Sequence, residues 1–379
     1  PRGCAARREE VYVTHTARAQ RVGKRLFGIS VPKWRRTLMT QRNEKIKPSY
    51  DENRQVLGKI YPLSTPFTVI LDSSEICNFR CNYCFRGQDD KSKWGYAVDN
   101  KLMDDDIFHI AVEQIKDFPE MVKTISLSNH GEPLCNRNIP DMVRYIKNQG
   151  ITSKISIHTN AAMLDEEYAK DLADSNIDRI VISLQGLKEA KYREICKAQI
   201  NFDEFYHNLE VLYENKKNTQ IYYKIMDSVL DKDEEEFYRC FSSIGDRVYI
   251  EHMVPIWKNV ELPMNTKTPV ENKYGNRFAK QECCPLIFNT IVVNPSGNVY
   301  PCTQLLSPHI LGNIKEVSLV KLWNSKEREK LLINQCKGEN LELCADCYIR
   351  QNSICSEEDM IDNYRNEILN RIYNHKHIL

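Results

Sequence analysis

The sequence predicts an α/β protein whose main part is a partial (βα)6, TIM-like barrel. From about residue 67, short β-branched runs alternate with helical patterns of about 10–15 residues, which is typical of parallel βαβ units. Six such units follow one another, fewer than the eight of a closed barrel. From about residue 265, turn residues and cysteines replace the alternation. We therefore expect a small cysteine-rich extension after the barrel.

The six strand candidates are short and are separated by amphipathic stretches. They are residues 68–71, 124–127, 154–157, 179–184, 221–226 and 247–251. Apolar residues at helical spacing mark the faces of two intervening helices: Ile107, Ala111, Ile115 and Phe118, and then Phe202, Phe205, Leu209 and Leu212. Pro140 near the start and Gly150 just past the end bracket a third helix. In parallel α/β folds the ligand-binding loops follow the strands, so candidate site residues are sought there.

These patterns divide the 379 residues into four parts. Residues 1–66 form a basic N-terminal extension, 67–264 the barrel, 265–356 the cysteine-rich part, and 357–379 a charged amphipathic helix. Residues 1–48 carry 13 Lys and Arg against 3 Asp and Glu, while the remainder carries 40 against 49. The overall charge is only +1, so no global field draws the chain to nucleic acid or to a membrane.

The cellular compartment follows from apolar runs and cysteine usage. No apolar run approaches membrane-spanning length, and the basic start lacks the apolar segment of a secretory signal. The 14 cysteines gather towards two ends of a long chain instead of crowding a small secreted domain. We expect a cytoplasmic protein, without a membrane partner, that uses cysteines to hold metal.

Three cysteines follow the first strand closely: Cys77, Cys81 and Cys84. Three thiolates at this spacing can hold three irons of a four-iron cluster and leave the fourth iron open to a small molecule. The alternative is a zinc knuckle or a structural cluster. Zinc sites usually pair C-x2-C with a second pair of ligands nearby, and the next cysteine here is Cys135.

The C-x3-C-x2-C spacing, with Tyr83 just before the last cysteine, resembles the signature of the radical S-adenosylmethionine (SAM) superfamily. The turn Gly131-Glu132-Pro133 after the second strand is similar to the family's Gly-Gly-Glu-Pro turn, with His130 in place of the first glycine. The resemblance implies that Gly131 and Glu132 meet the methionine amino group of SAM and that Tyr83 lies against its adenine. Ser183 and Gln185, after the fourth strand, are similarly placed to contact the ribose or carboxylate, although helix capping explains such residues equally.

The resemblance also implies a reaction. An electron from a donor such as flavodoxin or ferredoxin enters the cluster and cleaves SAM to methionine and a 5′-deoxyadenosyl radical. That radical abstracts hydrogen from an unactivated C–H bond of the substrate, while the protein orients the reactants and excludes water.

The C-terminal cysteines resemble the SPASM/twitch extension of radical SAM enzymes. The run from Cys284 through a hairpin to Cys302, followed by Cys344 and Cys347, implies one auxiliary [4Fe–4S] cluster with four protein ligands. Cys283, Cys336 and Cys355 are spare cysteines that could substitute or build a second cluster. A zinc ribbon is the alternative, because C-x2-C suits zinc as well. The other four cysteines are isolated and are interpreted as buried small side chains: Cys4, Cys135, Cys196 and Cys240.

The resemblance favours net oxidation or epimerisation of a carbohydrate-like alcohol, with the auxiliary cluster as electron acceptor. Among relatives, the arrangement is similar to the dehydrogenase that oxidises 2-deoxy-scyllo-inosamine. One alternative is the modification of a peptide or protein, as in sulfatase and ribosomal-peptide maturation. Another is a noncatalytic iron–sulfur or zinc module. No motif assigns a catalytic residue. His158 and His252 are at the predicted ends of strands, where a general base would lie. Arg86 either contacts SAM or the substrate or is a solvated side chain.

Overall fold

The computed structural model describes residues 54–90, 100–230, 233–257, 260, 262, 271–303, 310–339, 342–345 and 347–375. The basic segment 1–48 and Cys4 lie outside these ranges. The described residues form one nine-stranded sheet in the order β6-β5-β4-β3-β2-β1-β7-β8-β9. The strands are β1 Thr68–Leu71, β2 Thr124–Ser126, β3 Ile155–Thr159, β4 Arg179–Leu184, β5 Gln220–Met226, β6 Arg247–Glu251, β7 Thr290–Val293, β8 Asn298–Tyr300 and β9 Gly312–Asn313.

Thirteen α-helices lie in the described ranges, and none of them has both the length and the apolar character needed to cross a membrane. They are α1 Leu57–Ile60, α2 Asp105–Ile115, α3 Ile139–Gln149, α4 Glu166–Asp174, α5 Glu189–Cys196, α6 Phe202–Asn215, α7 Glu234–Phe241, α8 Leu286–Asn289, α9 Leu319–Trp323, α10 Lys326–Lys337, α11 Glu342–Ala345, α12 Tyr348–Asn352 and α13 Arg365–His375. Five 3-10 turns add Phe85–Gly87, Pro133–Cys135, Asp227–Val229, Glu357–Asp359 and Asp362–Tyr364.

The six parallel strands and their intervening helices confirm the predicted partial barrel. Strands β1 to β6 pair in parallel, each with its neighbour in sequence. The predicted helix faces are buried, as Ile107, Ala111 and Leu209 show. Gly150 ends α3 in the left-handed conformation, with φ 65°, which a glycine adopts at little cost.

The cysteine-rich part continues the barrel sheet. Strand β7 pairs in parallel with β1, with Thr68 opposite Thr290, so β1 lies between β2 and β7. Strands β7 and β8 then form the predicted hairpin, which turns at Gly297 with φ 84°. The alternation of strands and helices did not indicate this seventh parallel strand, because no regular βα unit precedes it.

The C-terminal helix is shorter than the predicted 357–379. It begins at Arg365, after two 3-10 turns. The acids of those turns serve other segments: Asp359 accepts the N–H of Cys355 at 2.9 Å, and Asp362 accepts the N–H of Cys283 at 2.9 Å. Their carboxylates therefore fix loops where an uninterrupted helix was expected. Ile368 of α13 packs in a second core beneath α8 and α10.

Candidate active site

A cavity of about 340 Å³ opens at the carboxyl ends of the barrel strands. The loop after β1 and the ends of β5 and β6 line it, and Trp257, after β6, packs on Phe85 of the cysteine loop with ring centres 5.0 Å apart. Its lining includes the three N-terminal cysteines and every barrel residue expected to bind SAM: Cys77, Cys81, Cys84, Tyr83, Gly131, Glu132, Ser183 and Gln185. The sequence-predicted residues of the barrel are thus brought together around one space.

Two glycines let the cysteine loop and its neighbours approach closely. A Cβ on Gly131 would lie 2.1 Å from the carbonyl oxygen of Ser74, and a Cβ on Gly87 would lie 2.1 Å from that of Cys81. The N–H of Glu132 donates to the carbonyl of Ile76 at 2.8 Å. The turn that follows β2 is therefore packed directly against the loop that carries the cysteines, with no room for a side chain between them.

The three thiols are suited to a cationic centre. Burial raises the pKa of Cys77 and of Cys84 to about 12. A hydrogen bond with Cys196, together with burial, raises the pKa of Cys81 well above its ordinary value. Such thiols stay protonated at neutral pH unless a cation takes the place of the proton. Cys196 is buried as expected but is not isolated, because it contacts a predicted ligand.

The Glu132 carboxylate is enclosed by donors from two turns. It accepts hydrogen bonds from the N–H of Leu134 at 3.0 Å, the N–H of Asn160 at 2.7 Å, and the Thr159 hydroxyl. Burial raises the pKa of Glu132 to about 7, and these bonds oppose part of the rise. An ammonium group placed beside this carboxylate would favour its charged form.

Tyr83 and Gln185 meet across the cavity. The Tyr83 hydroxyl donates to the Gln185 side-chain oxygen, and the Gln185 amide donates to the carbonyl of Ser183 at 3.3 Å. A loop after β1 and a loop after β4 thereby share one polar network. The sequence placed these residues at the same end of the sheet but did not show that they bond to each other.

Arg86 is buried, so the solvated interpretation is wrong. Its side chain is 2% exposed, and its Nε donates to the carbonyl of His130 at 2.7 Å. Burial lowers the pKa of Arg86, while Cys77, Cys84 and then the fully buried acids Asp72 and Glu75 act in the opposite direction. This ionic cluster lies beneath the cysteine loop, and its acids were missed because neither stands in a recognised motif.

His130 connects the turn after β2 to the cysteine-rich part. Its ring Nε2 lies 2.8 Å from the carbonyl oxygen of Thr303, the residue after Cys302. Burial lowers the pKa of His130 to about 4, so the ring is neutral and its Nε2–H donates to that carbonyl. Its backbone N–H donates to Asp72 at 3.2 Å. The departure from the family's glycine therefore supplies a contact between two parts of the fold.

A second ion cluster that lines the cavity was also missed from the sequence. The Lys224 and Lys273 ammonium groups each lie 2.9 Å from a different oxygen of Glu251. Burial alone would raise the pKa of Glu251, but the two ammonium groups outweigh it and lower the pKa to about 2. His158, near the end of β3, lines the same cavity and is exposed.

His252 lies on the rim of the cavity beside an acid. Its Nδ1 is 2.7 Å from the Asp227 carboxylate, which also accepts the N–H of Met253 at 3.1 Å. An imidazole held in this way by a carboxylate can accept a proton at its other nitrogen, and here that Nε2 lies beside the turn at Gly275, where an added Cβ would be 3.2 Å from it. His252 therefore has the geometry of a general base, whereas His158 lacks a carboxylate bonded to its ring among the described residues.

The four predicted auxiliary ligands lie near one another. Burial, and then the neighbouring thiolates of Cys347, Cys302 and Cys344, raise the pKa of Cys284. The N–H of Cys284 donates to the Gln335 side chain at 2.8 Å, and the N–H of Cys347 donates to the carbonyl of Cys344 at 3.3 Å.

Two of the spare cysteines belong to the core. Cys283 and Cys336 are almost fully buried among apolar residues. Their thiols share a hydrogen bond, and the Cys283 thiol also donates to the carbonyl of Gln335 at 3.3 Å. Cys355 is half-buried near Asp359. The adjacent residues Cys283 and Cys284 therefore have different surroundings, one apolar and one among thiols.

Comparison with known families agrees with this geometry. Residues 71–241 match the radical SAM superfamily, and residues 283–348 match SPASM, an iron–sulfur cluster-binding domain. The chain belongs to the radical SAM superfamily and carries a C-terminal SPASM domain. Proteins of this construction are enzymes that bind SAM, a SAM-binding [4Fe–4S] cluster and auxiliary iron–sulfur clusters, and the thiol sets and glycine contacts described above fit those groups.

Individual relatives are distant. The tungsten-containing aldehyde ferredoxin oxidoreductase cofactor-modifying protein of Pyrococcus furiosus is 24% identical over 343 residues, which cover 78% of this chain and 91% of that protein. The probable GTP 3′,8-cyclase of Methanococcus vannielii is 28% identical over 206 residues, 54% of this chain and 64% of that protein, so the match spans less than two thirds of the cyclase. The structure of anSMEcpe with bound AdoMet and Cp18Cys peptide has a TM-score of 0.51 at 15% identity, covering 81% of this chain and 99% of that chain, and shares its fold.

Proposed function

We propose that this protein is a radical SAM oxidoreductase that oxidises or epimerises a carbohydrate-like alcohol, with one auxiliary cluster as electron acceptor. The observation that carries the proposal is the gathering of Cys284, Cys302, Cys344 and Cys347 apart from the Cys283–Cys336 pair. A four-iron cluster with four protein ligands has no open iron for substrate, so its use is to move electrons.

The cavity residues divide the remaining work. Tyr83, Gly131, Glu132, Ser183 and Gln185 would hold SAM against the cluster on Cys77, Cys81 and Cys84. When bound, SAM and this cluster would supply the removal of one hydrogen atom from a substrate C–H bond, and the auxiliary cluster would accept the remaining electron. His252, oriented by Asp227, would accept the hydroxyl proton. The alcohol thus loses one hydrogen atom from its carbon, one proton from its hydroxyl group and one electron, and becomes a carbonyl compound.

Modification of a peptide is the second candidate. The anSMEcpe structure, whose match covers 81% of this chain, contains a bound peptide, and this favours a peptide substrate. A peptide substrate would use the same cluster chemistry, so the two candidates differ in substrate and share the cysteine ligands. A reducing partner such as flavodoxin or ferredoxin serves both.

Anaerobic reconstitution with iron, sulfide, dithionite and SAM tests the cofactor assignment. We expect about eight irons per chain and release of 5′-deoxyadenosine. A Cys77/Cys81/Cys84 triple alanine variant is expected to keep about four irons and to release none. About twelve irons in the unaltered protein would contradict a single auxiliary cluster, and no 5′-deoxyadenosine would contradict the enzyme assignment in favour of a noncatalytic module.

Replacing His252 tests the proton acceptor. With an alcohol substrate, we expect His252→Ala to lower product formation about 10²-fold or more, because a positioned base contributes that much, while SAM-derived 5′-deoxyadenosine still forms. Chromatography of both products from one reaction separates the effects. His207→Ala, on an exposed part of α6, is the matched control, and equal product from both variants would remove His252 from the mechanism.

A further inference from the structure

The ion cluster of Lys224, Glu251 and Lys273 lines the same cavity as the three N-terminal cysteines. Lys224 lies on β5 and Glu251 at the end of β6, and both line the cavity together with Lys273. The residues expected to hold SAM come from the loops after β1, β2 and β4. The cluster is therefore placed where the substrate, and not the cofactor, would lie.

Lys273 is held in place by a well-bonded turn. The Asn272 side chain accepts the N–H groups of Tyr274 at 2.9 Å and Asn276 at 3.1 Å, and it donates to the carbonyl of Ile354 at 2.7 Å. The carbonyl of Lys273 accepts the N–H of His252 at 2.8 Å. Lys273 is thus held in a defined position beside His252, the proposed general base.

The cluster carries one excess positive charge. Glu251 is the only carboxylate within 4.0 Å of either ammonium group in the described ranges, and each ammonium occupies a different oxygen of it. Asp227 is bonded to His252 and to Met253 instead. Each ammonium has three N–H donors, and its contact with Glu251 does not use them all. The Lys273 ammonium also lies 4.9 Å from the centre of the Tyr274 ring, so fewer of its donors than of those on Lys224 remain for a ligand.

The cluster is covered but not sealed. The Lys224 and Lys273 side chains keep 19% and 26% exposure, against 7% for Glu251. A buried ion triad with a purely structural role would be closed on all sides, because an excess charge in a low-dielectric interior is costly. Here the two ammonium groups reach the cavity while the carboxylate between them holds them apart.

We propose that Lys224 and Lys273, spaced by Glu251, form a subsite for an anionic substituent of the substrate, a carboxylate or a phosphate group. The substrate would then be an acidic or phosphorylated alcohol. The inference names the substrate class for the reaction proposed above and rests on that proposal for the reaction, although the binding itself is measured separately.

Calorimetry with the reconstituted, SAM-loaded holoenzyme tests the subsite. The probes are glucuronate, glucose 6-phosphate and inorganic phosphate, compared with glucose. We expect at least one anionic probe to bind and glucose to bind at least tenfold more weakly. Carboxylate and phosphate probes distinguish the two kinds of anion. Equal binding of glucose and the anions would overturn the subsite, as would the absence of binding of any anion at about 10 mM, a concentration at which even weak sites are occupied.

Three variants give effects of opposite sign. Lys224→Met and Lys273→Met are expected to weaken the anionic probe about tenfold or more, whereas Glu251→Gln is expected to tighten it, because it removes the competing carboxylate. Lys170→Met, on the exposed face of α4, is the control. Iron content and circular dichroism show that each variant is folded, and a Glu251→Gln variant that is folded yet binds the anion more weakly would contradict the charge argument.

Binding of SAM in the same variants decides which molecule the lysines serve. We expect SAM to bind unchanged, as followed by its effect on the spectrum of the N-terminal cluster. Loss of SAM binding in Lys224→Met would assign the lysine to the cofactor and overturn the inference. If the anion subsite responds as expected but the auxiliary cluster is never reduced during turnover, the subsite stands and the proposed oxidation fails.

Discussion

Replacing Cys284 by alanine is expected to remove the auxiliary cluster and lower the iron content from about eight to about four per chain. Cys284 is the predicted ligand whose pKa responds to Cys347, Cys302 and Cys344, so its loss leaves one iron without a protein ligand. Substrate oxidation should stop, while SAM cleavage at the N-terminal cluster continues. Iron analysis, absorption spectra and 5′-deoxyadenosine release, measured on one preparation, follow the three effects.

The neighbouring residue supplies the control. Cys283→Ala removes a sulfur that packs against Cys336 and apolar side chains, and its expected effect is a modest loss of stability, because only a small core volume is vacated. Its iron content should stay near eight. Loss of four irons from Cys283→Ala with retention in Cys284→Ala would show that the ligand assignment has the two residues in the wrong order.

Gly131→Ala is expected to disable the SAM site. The added Cβ would lie 2.1 Å from the Ser74 carbonyl oxygen and 2.5 Å from that of Ile76, and both obstacles are backbone atoms that cannot rotate away. The turn after β2 and the cysteine loop must separate, at a cost of about 1–3 kcal/mol. We expect SAM to leave the spectrum of the N-terminal cluster unchanged and the free energy of unfolding to fall.

Gly150→Ala isolates the steric effect from the loss of a glycine. Gly150 has a positive φ of 65° with no atom within 4 Å of an added Cβ, so alanine there carries only the backbone cost of about 1–2 kcal/mol. This variant should bind SAM as the unaltered protein does. Chemical denaturation and SAM titration compare the two, and an unimpaired SAM response in Gly131→Ala would refute the role given to the close approach.

Much of the barrel could be predicted because its sequence signals are local. The strand candidates 68–71, 179–184 and 247–251 agree with β1, β4 and β6 residue for residue. Alternation of short β-branched runs with amphipathic stretches reports this periodicity directly. Residues that follow the strands, such as Glu132 and Gln185, were found for the same reason, since parallel strands bring their carboxyl ends to one edge.

The parts that could not be predicted depend on contacts between distant segments. Lys224, Glu251 and Lys273 come from three separate pieces of chain, and no spacing joins them. Arg86 is charged and follows a loop, which is typical of a solvated residue, yet it is buried and bonded to the carbonyl of His130, 44 residues away. The acidic stretch before α13 was expected to be helical, but Asp359 and Asp362 bond to other segments instead.

Strand β7 belongs to the iron–sulfur extension, yet it pairs with β1 and so completes the sheet of the barrel. It occupies one whole edge of β1, residue by residue from Thr68 to Leu71. A polypeptide truncated after residue 264 would present that edge, with its free N–H and C=O groups, in the middle of what had been a continuous sheet. Exposed edges of this kind recruit other chains, so we expect the truncated barrel to aggregate instead of surviving as a small independent enzyme.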